Sequence, residues 1–202
     1  GTMGRPMARN LMARGYEVTA YDLLGECVDG CVEDGARSAS SPKEAVQDAQ
    51  VAITMLPSFP HVEEAVLGEN GVREGLKEGW VYIDMSTIDP GTIRRVAGEL
   101  LKKGIETVDS PVTKGVDAAV QGTLTLLIGG KEAVVERVRP VLEAMGENLY
   151  HMGDVGTGAA TKLVNNLLVG AITVATAEAF VFGTKAGVDP DKLLEAVAGG
   201  SG

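Results

Sequence analysis

A lysine and an asparagine one helical turn apart, Lys162 and Asn166, are the pair in this sequence best suited to acid–base chemistry. Residues four apart on a helix share one face. Their neighbours Leu163, Val164 and Leu167 are apolar, and an ammonium group fits such surroundings poorly unless it lines a cleft. Burial lowers the pKa of a lysine, so that its amine can take a proton near neutral pH. The pair therefore favours a proton-transfer site; a solvated surface lysine is the alternative.

A glycine turn and a later aspartate indicate dinucleotide binding. Gly1 and Gly4, with Thr2 and Met3 between them, are spaced like the second half of Gly-x-Gly-x-x-Gly, a turn that brings the backbone against a pyrophosphate at a helix N-terminus. Asp22 follows Gly4 by 18 residues, close to the roughly 20 expected for an acid that binds the adenine ribose. Such a carboxylate repels a 2′-phosphate and favours NAD over NADP. The alternatives are an ordinary glycine loop and a capping aspartate.

The elements that must position these residues alternate along the first three quarters of the chain. Short β-branched runs and amphipathic stretches predict an α/β fold with a Rossmann-like, doubly wound parallel sheet. The predicted strands are Glu17–Tyr21, Val51–Met55, Val81–Asp84, Glu106–Asp109, Leu124–Ile128 and Leu149–Met152. The predicted helices between them include Pro42–Asp48, Pro90–Lys103 and Lys131–Ala144.

A single long helix of small and apolar residues is predicted from about Thr157 to Ala186, followed by a new helix start. We expect a Rossmann-like domain at 1–154 and the opening of an all-α domain at 155–202, cut short at a final loop. The longest uncharged run, Leu163 to Ala177, has 15 residues, whereas a membrane span needs roughly 20. The helix is therefore predicted to be buried, and no membrane partner is expected.

Composition excludes several functional classes. The 202 residues include 28 acidic and 18 basic side chains, a formal net charge of −10, which argues against a nucleic-acid partner. A hydrophobic content of 45% is typical of a globular protein with a real core. Cys27 and Cys31 are the two cysteines and support neither a disulfide framework nor a metal site. No signal peptide is visible, and a cytoplasmic location is expected.

Six motifs occur in order along essentially the whole chain: the Gly1-x-Met-Gly4-x-Pro-Met-Ala turn, Met55-Leu56-Pro57, Asp84-Met-Ser86-Thr87-Ile-Asp-Pro90, Asp109-Ser-Pro-Val-Thr113-Lys-Gly115, Gly122-Thr-Leu-Thr and Gly158-x-x-x-Lys162-x-x-Asn165-Asn166. Together they resemble the β-hydroxyacid dehydrogenase family, which includes 3-hydroxyisobutyrate dehydrogenases and tartronate semialdehyde reductases. The resemblance implies hydride transfer between NAD and a small 3-hydroxyacid or the matching semialdehyde.

The same resemblance assigns roles to individual residues. The implied cofactor contacts are Gly1, Thr2, Met3, Gly4, Asp22, Leu56, Pro57 and Thr87, with His61 as a further candidate at the cofactor's edge. The implied catalytic residues are Lys162 as acid and base, Asn166, which orients the substrate, and Thr113, whose hydroxyl holds the substrate carboxylate. The implied substrate contacts are Ser86, Thr113, Lys114, Gly115, Lys162 and Asn166.

The sequence also departs from the family pattern. Thr113-Lys114-Gly115 replaces the usual Ser-Gly-Gly, so Lys114 adds a cation that could hold a second anionic group of the substrate; a solvent-facing lysine is the alternative. The family's first strand and most of its helical domain have no counterpart here, and the long apolar helix predicts a homo-oligomer. Two other functions stay open: an NADPH-dependent semialdehyde reductase, and a non-catalytic dinucleotide-binding assembly module.

Overall fold

The structure, a computed structural model, describes residues 1–200 and has an α/β fold. Its strands are β1 Thr19–Ala20, β2 Arg37–Ser38, β3 Val51–Thr54, β4 Val81–Asp84, β5 Glu106–Asp109, β6 Val112–Thr113, β7 Leu124–Gly129 and β8 Gly146–Gly153. Its helices are α1 Gly4–Ala13, α2 Gly25–Glu33, α3 Pro42–Val46, α4 Phe59–Leu67, α5 Val72–Gly75, α6 Pro90–Leu101, α7 Gly115–Gln121, α8 Glu132–Glu143, α9 Thr157–Lys185 and α10 Pro190–Ala198. Residues 201 and 202, the end of the predicted final loop, lie outside this range.

The main sheet contains six strands in the order β3-β4-β5-β7-β6, with β8 paired to β7. β3, β4 and β5 run parallel, whereas β7 is antiparallel to β5 and β6 and parallel to β8. β1 and β2 form a separate parallel pair. The Rossmann-like fold predicted from the sequence is confirmed, and the reversal at β7 adds a mixed part to the sheet.

Helices cover both faces of the sheet, and β4 shows how the sequence encodes this. Val81 and Ile83 pack into one core with residues of α1 and α8. Tyr82 packs into a second core with residues of α4 and α6. Successive side chains of a strand point to opposite faces, so a strand that is buried on both faces must be apolar at every position, as β4 is until Asp84.

Helix α9 is 29 residues long, and its exposure corrects a prediction. The sequence predicts a buried helix, but Leu167 and Phe182 are 72% and 77% exposed. The chain divides into two compact units, residues 1–163 and residues from 164 onward, and most of α9 belongs to the second. By length and composition α9 could cross a membrane. Core helices of soluble proteins pass the same test, so length and composition alone do not identify a membrane span. The absence of a membrane partner stays a prediction.

Candidate functional site

Three strands place their last residues side by side at one edge of the sheet. Thr54 of β3 is in register with Asp84 of β4, which is in register with Asp109 of β5. Because these strands are parallel, the segments that follow them emerge at the same edge, where open α/β sheets bind ligands. The register therefore brings together four of the predicted site residues on two adjacent turns: Leu56 and Pro57 after β3, and Ser86 and Thr87 after β4.

A buried carboxyl group organises this edge. Asp84 is 1% exposed, and its Oδ1 accepts hydrogen bonds from the Thr54 hydroxyl at 2.8 Å and the Ser86 amide at 3.3 Å. The Tyr82 and Thr54 hydroxyl oxygens lie 2.6 Å apart. Burial is the main cause that raises the pKa of Asp84 to about 6, with a smaller contribution from the neighbouring Asp109. The carboxyl group joins β3 and β4 immediately below the turns that follow them.

The Ser86 hydroxyl is enclosed between two turns at this edge. The sequence assigns its hydroxyl to the substrate, but Ser86 is 1% exposed. Its Oγ accepts a hydrogen bond from the backbone N–H of Leu56 at 2.9 Å. The hydroxyl is enclosed and joins the Leu56–Pro57 turn to the Ser86–Thr87 turn, and its contact with a substrate stays a prediction. Pro57 and Thr87 are exposed on these turns.

The structure brings the glycine turn and the predicted ribose acid together. The Gly1 nitrogen lies 3.5 Å from Asp22 Oδ2, and a Cβ on Gly1 would lie 3.8 Å from the same oxygen. Asp22 Oδ1 accepts a hydrogen bond from the Leu24 amide at 3.0 Å. Helix α1 begins at Gly4 with no acidic residue in its first turn, and its N-terminus therefore carries an uncompensated positive dipole next to this carboxylate.

An open cavity of about 430 Å³ lies beside the turn, lined by Gly1, Thr2, Arg5, Pro6, Glu26 and Cys27. Sequence reasoning missed Arg5, Glu26 and Cys27. The Arg5 guanidinium is held by Asp34, with Nε 2.6 Å from the carboxylate, and Arg5 and Arg9 keep the pKa of Asp34 well below its usual range. A basic residue directly after Gly4 was the available signal, because that position lines the cavity beside the turn.

Lys162 lies in the second turn of α9 and is half-buried. Burial lowers the pKa of its ammonium group, as the sequence argument expects. Asn166 follows one turn later in the same helix and is exposed, and the collar residue Leu163 is 40% exposed. Asn166 belongs to the second compact unit, and its role stays a prediction.

Lys114 is already paired with a carboxylate. Its Nζ lies 2.7 Å from Glu147 of β8 and donates to the Thr123 carbonyl at 3.2 Å. Lys114 and Gly115 both have positive φ, 81° and 75°, so Lys114 occupies a conformation that suits glycine. Thr113 precedes them at the end of β6 and is half-buried. The pairing favours the alternative in which Lys114 supports the loop.

The two histidines have separate surroundings. His61 is exposed in the first turn of α4, and its Nδ1 lies 2.7 Å from the Ser58 hydroxyl. His61 therefore sits just after the Leu56–Pro57 turn, and its place at the cofactor's edge stays a prediction. His151 Nε2 lies 2.7 Å from the Gly130 carbonyl just after β7, and this contact joins β8 to that turn.

Comparison with known proteins agrees with the fold and the motifs. Residues 1–153 match the family model for the NAD binding domain of 6-phosphogluconate dehydrogenase. Residues 156–202 match that for the NAD-binding region of NADP-dependent 3-hydroxyisobutyrate dehydrogenase. The chain belongs to the β-hydroxyacid dehydrogenase family.

Relatives in this family are dehydrogenases. The chain is 43% identical to 3-hydroxyisobutyrate dehydrogenase of Pseudomonas aeruginosa, over all of this chain and 68% of that protein. It is 39% identical to an NAD-dependent L-serine dehydrogenase of the same species, again over all of this chain and 68% of the relative. Its fold matches the solved structure of Mycobacterium tuberculosis 3-hydroxyisobutyrate dehydrogenase with L-serine, with a TM-score of 0.93, 34% identity, and coverage of 100% and 68% of the two chains. The chain is thus a β-hydroxyacid dehydrogenase with an NAD(P)-binding domain.

Proposed function

We propose that this dehydrogenase transfers a hydride between NAD and a small 3-hydroxyacid, or its semialdehyde in the reverse direction, with Lys162 as the acid and base. The observation that carries the proposal is the half-buried ammonium group of Lys162, whose pKa is lowered by burial. Lys162 lies in the second turn of α9. The first turn is bound by Asp109, which accepts a hydrogen bond from the Ala159 amide at the carboxyl edge of the sheet. Relatives that share the chain's whole length act on 3-hydroxyisobutyrate and L-serine, which are 3-hydroxyacids.

Alcohol oxidation requires that the carbon lose a hydride while the hydroxyl loses its proton. A bound nicotinamide dinucleotide supplies the hydride acceptor. The neutral amine of Lys162 takes the hydroxyl proton as the C–O bond becomes C=O. In the reverse direction the ammonium group returns that proton to the forming alkoxide. A lysine with its ordinary pKa of about 10.4 would hold its proton at neutral pH, and burial, which lowers the pKa of Lys162, favours the neutral amine that the forward step needs.

The residues present fit a dinucleotide. The start of α1 offers backbone N–H groups without an acidic neighbour in the first turn, which suits a pyrophosphate. A Cβ built on Gly4 meets no atom within 4 Å, so the turn leaves open space beside that residue. We assign NAD over NADP because the Asp22 carboxylate lies next to Gly1, where it accepts from ribose hydroxyls and repels a 2′-phosphate. The two exposed turns at Pro57 and Thr87 supply the nicotinamide end of the site.

The substrate carboxylate is assigned to Thr113 and to the backbone N–H groups at Gly115, with Asn166 orienting the hydroxyl. Lys114 and Gly115 form a turn with positive φ at both residues, and successive backbone N–H groups of turns can form anion-binding concavities. Because Lys114 is paired with Glu147, we do not assign it a second anionic group of the substrate.

We also propose a domain boundary at 154/155, so that 1–154 binds the dinucleotide and 155–202 opens a helical domain. The change from β8 to α9 and the gap between the two matched regions, 1–153 and 156–202, support this boundary. A homo-oligomer, a cytoplasmic location and the absence of a nucleic-acid partner stay predictions.

The decisive experiment compares Lys162→Ala with the wild type in the full-length enzyme. Initial rates are measured over a panel of 3-hydroxyacids and semialdehydes with both nicotinamide cofactors, and cofactor affinity is measured separately by fluorescence. Lys162→Ala should lose at least about 10²-fold in kcat, the usual contribution of acid–base catalysis, while it binds NAD normally. Unchanged turnover by a variant that binds the cofactor would reject the assignment.

A further inference from the structure

The carboxylate of Asp109 binds the beginning of the helix that carries Lys162. Asp109 ends β5 and is 1% exposed. Its Oδ1 accepts a hydrogen bond from the Gly156 amide at 2.6 Å, and its Oδ2 accepts one from the Ala159 amide at 2.7 Å. These amides lie at the N-terminus of α9, where backbone N–H groups have no partner within the helix. One buried side chain therefore holds the helix start at two points.

The surrounding backbone is shaped to admit this carboxylate. A Cβ on Gly129 of β7 would overlap Asp109 Oδ1. A Cβ on Gly158 would lie 2.9 Å from Oδ2 and would overlap the Leu127 carbonyl. Glycine is thus required on both sides of Asp109, on the neighbouring strand and on the helix. The contact is short, buried and enclosed, so it fixes the position of the helix start relative to the sheet edge.

A second contact holds the same segment from the solvent side. Arg94 of α6 donates from Nε to the Val155 carbonyl at 3.1 Å. Gly156 has a φ of 92°, and a Cβ there would lie 2.7 Å from Arg94 Nε. The residues before α9 are therefore held between the buried Asp109 and the exposed Arg94, and Lys162 follows Ala159 by less than one turn.

We propose that Asp109 is a positioning residue for catalysis: its two hydrogen bonds to the start of α9 fix where the amine of Lys162 meets the substrate hydroxyl. This rests on the proposed role of Lys162. Both hydrogen bonds of Asp109 go to backbone N–H groups at the start of α9 and neither goes to the amine of Lys162, so Asp109 acts through the position of the lysine. A displacement of about 1 Å at a reacting group can cost about a hundredfold in rate.

The test is Asp109→Asn in the full-length enzyme, which keeps the shape but sets the NH2 group of asparagine against one of the two backbone N–H groups, so that this N–H loses its acceptor. We expect kcat to fall by about ten- to a hundredfold, with the NAD dissociation constant within about threefold of the wild type. Substrate deuterated at the carbinol carbon should show a larger isotope effect on kcat, because the chemical step becomes slower. The pKa of Lys162 in the pH profile of kcat/KM should stay in place.

The matched control is Asp189→Asn. Asp189 also accepts two backbone N–H groups, from Asp191 and Lys192 at 3.1 Å, at the start of α10. The same Asp-to-Asn change there keeps Oδ1, the oxygen that accepts both bonds, so it tests the loss of a carboxylate charge at another helix start and should leave kcat and the isotope effect unchanged. Arg94→Ala is a second variant that leaves the core intact, and we expect a smaller fall in kcat with the same rise in isotope effect.

Two results would overturn the proposal: wild-type kcat in Asp109→Asn, or a fall in kcat that only follows the loss of folded protein and of NAD binding. Lys162→Ala, measured alongside, separates this failure from failure of the proposed function. If Lys162→Ala keeps its turnover, the function is wrong. If it loses turnover while Asp109→Asn retains it, only the positioning role is wrong.

Discussion

The Thr54 hydroxyl donates a hydrogen bond to the Asp84 carboxyl group at 2.8 Å, across two strands whose carboxyl ends form the floor of the site. This contact is buried, and burial raises the pKa of Asp84 from 3.8 to about 6. The folded state therefore holds a proton that the unfolded chain releases between these two values. Because the folded and unfolded states bind this proton with different pKa values, the free energy of unfolding depends on pH.

The contribution of Asp84 to stability should fall as pH rises. It is fully present only at pH values well below 3.8, where the carboxyl group is protonated in both states, and it is lost as pH rises through the folded pKa of about 6. Each unit of pKa difference is worth about 1.4 kcal/mol. Urea unfolding from pH 4 to 7, for the wild type and Asp84→Asn, isolates this component because the other carboxylates are shared. A difference between the two proteins that is flat across this range would contradict it.

Asp22 should determine the choice of cofactor. Asp22→Ala removes the acceptor for the ribose hydroxyls, and hydrogen bonds to a charged group are worth about 1.5–3 kcal/mol. We expect kcat/KM for NAD to fall about ten- to a hundredfold, while that for NADP stays or rises. Asp29→Ala, an exposed aspartate on the neighbouring helix α2, is the control and should change neither value. Equal losses with both cofactors would show that Asp22 does not read the ribose.

Removal of the Ser86 hydroxyl should weaken cofactor binding. Ser86→Ala leaves the Leu56 amide without its acceptor at 2.9 Å, and a buried unpaired donor costs about 1–3 kcal/mol. The Leu56–Pro57 turn then loosens, so the dissociation constant for NAD should rise. Ser41→Ala, which removes the acceptor that caps α3, costs comparable stability but should leave NAD affinity intact. Normal NAD affinity in Ser86→Ala would show that the turns hold without this bond.

Lys114 can be replaced by glycine with little loss. Its φ of 81° costs a side chain about 1–2 kcal/mol, whereas its exposed ion pair with Glu147 is worth about 0–1 kcal/mol. Lys114→Gly should therefore unfold at the wild-type denaturant concentration or above it. Lys114→Ala keeps the strain and loses the ion pair, so it should be the least stable of the three. The reverse order of glycine and alanine would mean that the ion pair dominates.

Much of the fold could be predicted because its signals are local. β4 and β5 begin and end at the predicted residues, since a run of apolar and β-branched residues that closes on an aspartate is typical of a buried parallel strand. β6 has two residues and is too short for any periodic pattern to reveal. β8 begins three residues before the predicted start at Leu149, because its pairing with β7 contains register shifts that the pattern does not encode.

Some residues of the candidate site could likewise be predicted from local patterns, and others could not. The glycine turn with Asp22 could be found from spacing alone, and the family motifs supplied Lys162. The enclosure of Ser86 and the pairing of Lys114 could not, because both depend on partners about thirty residues away, Leu56 and Glu147. The contact of Asp109 with Ala159 spans 50 residues. The exposure of α9 could not be predicted either. An apolar sequence indicates that a helix can be buried, but whether it is buried depends on another surface that packs against it.

The exposed apolar residues of helix α9 should make these 202 residues self-associate in solution. Leu167, Ile172 and Phe182 are 72%, 63% and 77% exposed, and an apolar strip of this kind drives proteins to adhere to one another. A preparation of this stretch by itself should sediment with a mass that grows with its concentration and should make an environment-sensitive dye fluoresce. Charged replacements along α9, such as Leu167→Glu together with Phe182→Lys, should abolish both signals and leave residues 1–163 folded.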